Sequence, residues 1–577
     1  MGTHGIEMVR FRGRYYIYWH HFDGYPSGLG RKIVDSIPAD PEEYKKWLEQ
    51  TRAKYAAKQN ALEKHVYEIR DGSKPDDDHF RDFMSLPSEI PRLDDWDCSF
   101  YYIINLDCEI LTIKFGIHWK LGNIPRKDNL WYKAIRNGIY SGEPTVAFDI
   151  CPDEYIASPA LELPEPNPSL GYQCYVVAPK LDISEARKTF RISFLAEVLS
   201  QHKGPLIKLG MEWSPVSFPF RELTFALVSI ASGTAGFFSF PAQQRSEDRY
   251  TVTQGDPWSW KDNGLSQDGK PRLYGFLDKE WAGNHAPLLE FGSMSHRPGD
   301  APGVSPAETM YWHEGVLVSL ALRPDGEAIT QAVSWGLDQG RKNFQIVVLS
   351  LFEVAFAEVS FGKGKDEKPL VKITKPVYLS ALRQDYCLST HPRERPEWPP
   401  NTRRPHIHER GSEVHWGGTA RRLQSHFPGL AALVNFFEIA ADRRAVSKSR
   451  GILPSELYDM ILEFVDYDTW KICASVSTEF RYSCLRKYRV DDKTRIVAGP
   501  FVRLTRSYTK GRRLSFEFQN METGQVLPAM RTYCYSTKEL NWMPLIGSDR
   551  KALMLDVVFQ YEPAVDIPVE NDSEDEF

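Results

Sequence analysis

Several groups of residues have types and spacing that could do chemistry. The first is His20, His21 and Asp23, in the stretch HHFDGYPSGLG. Imidazoles beside a carboxylate can act as a general base or as metal ligands. A strand that runs into a glycine-rich loop and then a helix is also where phosphate sites form. Here the glycines match neither the dinucleotide fingerprint nor the P-loop, and no Lys-Ser or Lys-Thr follows. Asp23-Gly24 and Pro26-Ser27 are turn formers. The expectation is a rigid turn with satisfied polar side chains. His20, His21 and Asp23 remain the candidates for the alternative, an enzyme of unknown reaction within residues 1–385. His313-Glu314 lacks the second histidine of a zinc-protease helix, because position 317 is Leu. His391, His406, His408 and His415, with Cys387 nearby, are irregularly spaced among many arginines and read as a basic surface rather than a metal site. Asp95, Asp97 and Asp107 do not fall at EF-hand spacing. Glu353 and Glu358, inside the apolar run 344–361, would need partners if buried, and positions at a strand edge are expected. No catalytic residue, cofactor or metal is assigned.

These residues must be positioned by a mixture of strands and helices. Val9 and Phe11, Arg12-Gly13-Arg14, then Tyr15 to Trp19 predict a hairpin. Asp40-Pro41-Glu42-Glu43 starts a helix to about Arg70. Leu48, Tyr55, Leu62 and Ile69 recur every seventh residue on it, with Tyr44 and Val66 nearby, which predicts an intramolecular packing seam. Residues 96–126 alternate like two or three strands, with a turn at Asn105-Leu106-Asp107. Residues 141–180 are rich in Pro and Glu and read as an exposed excursion. Ile183 to Ser200 predicts an amphipathic helix. Leu223 to Pro241 is too polar for a membrane span and predicts a buried helix ending at Gly233. Residues 241–310 are loop-dominated, and Trp258, Trp260 and Trp281 there could line a recognition groove or a core. The run 344–361 predicts a buried strand pair broken near Glu353 or Glu358.

Composition narrows the class. The 577 residues, 42% hydrophobic and 13% aromatic, suffice for large ordered cores. A net charge of −6 with mixed signs gives no nucleic-acid footprint, so no nucleic-acid partner is expected. The eight cysteines form no CxxC pair and suit a reducing compartment, cytoplasmic or nuclear. The first residues lack the apolar core of a signal peptide, and position 6 lacks the Ser or Thr of a myristoylation signal.

The stretch 453–485, LPSELYDMILEFVDYDTWKICASVSTEFRYSCL, is different in kind. Leu-Pro opens a helix, with Pro454 suited to its first turn. Leu457, Ile461, Leu462 and Val465 make one apolar stripe. Asp468 can cap a second helix carrying Trp470, Cys473 and Val476, and Ser477 a third carrying Phe480, Cys484 and Tyr488. Three helices this short cannot bury their stripes among themselves. This stretch resembles the F-box. The resemblance rests on Leu453, Pro454, Glu456, Leu457, Ile461-Leu462, Val465, an Asp-containing turn, Val476-Ser477 and Phe480-Arg481. Trp470 stands where that family more often carries Leu. It implies docking on a Skp-type adaptor and, through it, a cullin–RING ubiquitin ligase. The implied adaptor-binding residues are Leu453, Pro454, Leu457, Ile461, Leu462, Val465, Trp470, Val476 and Phe480. Glu456, Glu463 and Arg481 are expected nearer the rim. The DGYP segment near the N-terminus resembles one in uncharacterised fungal proteins, which implies no activity.

The expected class is α+β. A large mixed domain, 1–385, is expected to recognise an unidentified target protein. A Pro/Arg/His-rich linker follows at 386–427, then a helical F-box-like module at 428–490 and a small β-rich appendage at 491–562. An acidic tail closes the chain at 563–577. The function expected is that of a non-catalytic substrate receptor, with no membrane attachment; a purely structural interaction protein is the further alternative.

Overall fold

A computed structural model describes residues 3–70, 87–90, 98, 100–136, 145–239, 289–290, 303–361, 368–380, 420–504, 512–532, 540–547, 552–554 and 557–564. The strands β1 (Gly5–Phe11) and β2 (Arg14–His20) form the hairpin that the alternation predicts. Its turn residues Arg12 and Gly13 take φ of 50° and 77°. Their N–H groups donate to the two carboxylate oxygens of Asp107, at 2.7 and 2.9 Å. Helix α1 (Arg31–Ser36) is followed by α2 (Pro41–Arg70), where Asp40 accepts from the N–H groups of Glu42 and Glu43 at 3.0 Å. Strands β3 (Phe100–Asn105), β4 (Ile110–Ile113) and β5 (Ile117–Lys120) complete a sheet in the order β2-β1-β3-β4-β5. Helix α3 (Leu130–Lys133) and the pair β6 (Ile135–Arg136) and β7 (Thr145–Val146) flank it. Strand alternation gives the sheet two apolar faces. Val9, Tyr16, Tyr102 and Ile104 pack toward Tyr44, Leu48, Tyr55 and Leu62 of α2, so the seven-residue seam is intramolecular. The side chains of Val66 and Ile69 lie outside the described set. Met8, Tyr15, Ile17 and Ile103 face a second, larger core.

The second sheet begins in the Pro/Glu-rich excursion. Its elements are β8 (Gln173–Val176), β11 (Met310–His313), β12 (Val316–Leu320), β13 (Phe344–Leu349), β14 (Glu353–Ser360), β15 (Leu370–Ile373) and β16 (Val377–Tyr378). They lie in the order β11-β12-β13-β14-β15-β8, with β16 beside β14. The chain between β8 and β11 forms α4 (Ala186–Gln201), α5 (Lys203–Lys208), α6 (Phe218–Ser232), β9 (Gly236–Ser239) and β10 (Leu289–Glu290). Helix α7 (Gly326–Asp338) follows β12, opened by Asp325, whose carboxylate accepts from Ala328 N–H at 3.0 Å. Helix α6 ends at Gly233, with φ 81°, as the sequence predicts. Ile346 and Val348 of β13 pack toward α7, while Val347 and Leu349 face the larger core. A strand covered on both faces needs apolar residues at every position, which is why this run shows no alternation.

The C-terminal third contains α8 (Ala420–His426), α9 (Pro428–Lys448), α10 (Ser455–Phe464), α11 (Tyr467–Cys473) and α12 (Thr478–Arg486). Strands β17 (Thr494–Leu504), β18 (Arg512–Asn520), β19 (Val526–Thr532), β20 (Leu540–Ile546), β21 (Ala552–Leu553) and β22 (Phe559–Pro563) follow. The third sheet runs β10-β21-β20-β22-β19-β18-β17, and β9 also pairs with β20. The chain is thus α+β, but its layout differs from the expected segments in three respects. Gly236–Ser239 hydrogen-bonds along β20, so the strands after 491 share a sheet with the segment 1–385 rather than standing apart as an appendage. The last part of the expected linker, 420–426, is helical and buries Leu423. And α4 is buried continuously from Lys188 to Leu199 instead of being amphipathic. Residues 386–419, the tail from 565, and Trp258, Trp260 and Trp281 lie outside the described residues, as do His391, His406, His408, His415 and Cys387.

Phe190 of α4 explains the last difference, since it meets Phe516, Phe518, Trp542, Phe559 and Tyr561 of the third sheet at centroid distances of 5.6–6.3 Å. Phe190→Ala is expected to destabilise the whole chain by about 3–5 kcal/mol, in one transition followed alike by fluorescence and circular dichroism. A separate early transition of the C-terminal strands would show that they form their own core.

Candidate protein-docking surface

The groups singled out for chemistry do not converge. His20 Nε2 lies 3.2 Å from the Glu7 carboxylate, whereas His21 Nδ1 accepts from Trp19 Nε1 at 3.3 Å and its ring lies edge-on to His4 and tilted to Phe22. Asp23, at φ 59°, uses its backbone carbonyl to accept from Leu29 N–H at 2.8 Å. Gly24 is required for a different reason than a left-handed backbone. A Cβ there would lie 2.4 Å from the carbonyl oxygen of His4, and Tyr102 Oη donates to Gly24 O at 2.9 Å. The turn reading therefore rests on close backbone approach. His313 Nε2 meets Ser232 Oγ at 2.9 Å, between the rings of Phe225 and Phe437, and burial pushes its pKa down to about 4. Glu358 is held by Arg443 at 2.8 Å. An apolar cleft lined by Leu161, Met211, Trp213, Leu322 and Phe352 measures about 20 Å³, room for roughly one water. No cluster of three metal-ligating side chains occurs among the described residues.

The helical unit α10–α12 is where side chains gather unsatisfied apolar area. Tyr458 fixes its start: its ring packs edge-on to Phe480 at 4.6 Å, and its hydroxyl accepts from the N–H groups of Ile452 and Leu453 at 2.8 and 3.0 Å. Pro454 sits at the N-cap of α10, one position before its first turn. The end of α10 is closed by Arg489, which donates to the carbonyls of Leu462 and Val465. Asp466, not Asp468, caps α11 by accepting from Thr469 N–H at 2.7 Å. Val476 falls after that helix. Ser477 caps α12 through Phe480 N–H at 3.2 Å, as its sequence predicts.

This framework divides the residues implied by the F-box resemblance. Leu462 and Trp470 point inward and are buried in the main core, with Trp470 stacked on Tyr467. Val465 and Phe480 are half-buried at the margin of that core. Leu453, Pro454, Leu457, Ile461 and Val476 are exposed. They are joined by side chains the sequence pattern did not single out: Ile452 at 94% exposure, Phe464 at 86%, Ile472 at 64% and Met460 at 57%. Nearly half of the exposed large apolar side chains among the described residues lie between Ile452 and Tyr482. Monomeric surfaces rarely gather apolar groups this way unless a partner covers them. Glu456 is exposed, and Glu463 pairs with Lys487 and Arg495 at 3.0 and 2.9 Å. Arg481 is the exception to the expected rim, because it is buried and bonded to Asp442 and Glu438.

No family model, curated protein or solved structure matches the chain. The surface must be judged on its own geometry.

What holds that surface in place is Glu438 of α9. Its carboxylate meets Arg187 at 3.1 Å, Arg191 more closely still, and Arg481 at 3.3 Å. Burial pushes its pKa up, but Arg191, Arg187 and Arg481 together outweigh this and hold it at about 2. A carboxyl whose pKa is depressed on folding contributes stability above its unfolded value, lost as pH falls through the folded one. Denaturant melts of wild type and Glu438→Gln should therefore converge as pH falls from about 4.5 toward about 2 and diverge above it. A stability difference that does not change across this range would show that Glu438 is not ion-paired.

Proposed function

We propose that the chain is an F-box-type substrate receptor, which joins a target protein to a Skp-type adaptor of a cullin–RING ubiquitin ligase. The observation that supports this reading most is the exposed apolar face on α10 and α11, mounted on helices whose inner residues Leu462 and Trp470 are already buried in the main core. Such a face has the character of an interface centre, apolar within and charged around it. Charged residues on and beside α10 include the exposed Glu456, Glu463 paired with Lys487, and Arg486 paired with Asp459. Leu453, Leu457 and Ile461 form the part that a helical adaptor covers, and Leu462 and Trp470 support it from beneath. The receptor catalyses nothing itself. It raises the effective concentration of a target lysine near a charged conjugating enzyme. No helix among the described residues is long and apolar enough to cross a membrane.

The test is a pull-down with a Skp-type adaptor, with circular dichroism as the folding control. Leu457→Ala and Ile461→Ala remove exposed contacts, so both variants should stay folded. Each is expected to weaken adaptor binding by about 1–3 kcal/mol, roughly 5- to 150-fold. Glu456→Ala should change it by less than about 1 kcal/mol. Leu462→Ala is a poor probe because it also opens the core. Failure of the wild-type chain to bind any adaptor, or full binding by a folded Leu457→Ala, Ile461→Ala double variant, would sink the assignment.

A further inference from the structure

The open edge of the second sheet carries a different surface, and its argument does not rest on the adaptor reading. All four residues of β8 are exposed, and Tyr175, Val176 and the next residue, Val177, are among the chain's exposed large apolar side chains. β8 runs parallel to β15, and Val177 N–H donates to Ile373 O at 2.7 Å. Backbone polar groups alternate in direction along a strand. Tyr175 therefore also turns its N–H and C=O toward β15, while Cys174 and Val176 turn theirs away from it. Among the described residues no strand lies beyond β8. Exposed edges are usually blunted by a charge, a proline or a bulge within the strand. Gln173–Val176 contains none of these three, although at four residues it is a short edge.

The charges around this edge are uneven among the described residues. Lys372 sits 5.7 Å from the centroid of the Tyr175 ring. Lys368 and Lys375 bracket β15, and both are exposed. Glu358, the acid on the same face as Lys372, is already held by Arg443 at 2.8 Å and lies 4.0 Å from Lys372. We propose that the β8 edge binds an extended acidic segment of a partner protein by strand addition. The backbone groups of Cys174 and Val176 supply the hydrogen bonds. Alternate side chains of the added strand then fall beside Tyr175, over whose ring Lys372 reaches, on one face and beside Val176 on the other. Acidic residues at every second position, with apolar β-formers between them, fit both faces.

The probe is a fluorescein-labelled peptide that alternates glutamate with valine, compared by anisotropy on the whole protein with the same peptide carrying lysine for glutamate. The glutamate peptide is expected to bind at least about 10-fold more tightly. Val176→Pro removes an N–H that faces away from β15, and proline is tolerated on such an edge. It should weaken binding at least about 10-fold while leaving the melting temperature and adaptor capture unchanged. Lys372→Glu should reverse the preference between the peptides, and it decides the matter alone if Val176→Pro does not fold. The proposal is overturned if neither peptide binds up to about 1 mM, if both bind equally, or if Lys372→Glu leaves the preference as it was. Adaptor capture by the wild-type chain is scored separately, so a wild-type chain that captures the adaptor but binds neither peptide condemns this surface and not the α10 face.

Discussion

A buried carboxylate shared among three arginines sets the architecture of this chain. Glu438 would be prohibitively unstable in an apolar interior without partners, because water is replaced by a medium that cannot solvate its charge. Its partners come from two helices far apart in sequence, Arg187 and Arg191 on α4 and Arg481 on α12. Helix α4 has a second demand of the same kind at its other end, where Glu197 meets Arg531 of β19 at 2.9 Å. Both needs are met by residues after position 420. Burial of α4 therefore couples the middle of the chain to its C-terminal third, and the aromatic cluster around Phe190 closes over the same helix.

The exposed apolar face of α10 and α11 follows from this constraint. Once Arg481 is spent on Glu438 and Asp442, and Trp470, Leu462 and Cys484 on the main core, the outer stripe of α10 and α11 is left exposed among the described residues. Tyr458 and Arg489 then fix both ends of α10 by hydrogen bonds to its flanking backbone. The outer apolar groups are held at set positions instead of collapsing inward. A preorganised face loses less conformational entropy on binding than a mobile one, which favours tight recognition per unit area.

How much of this was legible in the sequence depended on range. The hairpin at Arg12-Gly13, the long helix opened by Asp40, the cap at Ser477 and the end of α6 at Gly233 are all set by neighbours within a few residues, and the residue pattern shows them directly. The strand β8 was not legible, because four residues within a Pro/Glu-rich stretch become a strand only beside β15, almost 200 positions later. The pairing of β9 with β20 spans a still longer interval. Helix α4 was misread for a different reason: Arg187, Arg191 and Glu197 look like a solvated face until their ionic partners are known. On α10 the stripe was readable, but its division was not. Leu462 and Ile461 are adjacent and equally apolar, and only the packing of the helix on α12 and the main core decides which is covered. The need for Gly24 was legible as a glycine position, whereas its cause, the carbonyl of His4 pressed against it, was not.

Helix α9 makes the two surfaces parts of one geometry. It packs on β14 and β16 along its length and reaches α12 through Arg481 and Asp442, so one helix touches both the second sheet and the docking unit. Arg443 near its C-terminal end also grips Glu358 of β14, on the face of the sheet that carries Lys372. In the receptor reading, a target segment laid on the β8 edge would stand at a set distance and direction from the adaptor. That has a mechanistic consequence. A flexible tether offers a target lysine many orientations at modest local concentration, whereas a stiff one offers few, at high concentration where the span matches and almost none where it does not. In that reading, a chain built around a buried, ion-paired helix such as α4 would belong to the second kind. Its selectivity among target lysines would then be set by where the target binds, because the receptor itself contributes little reach.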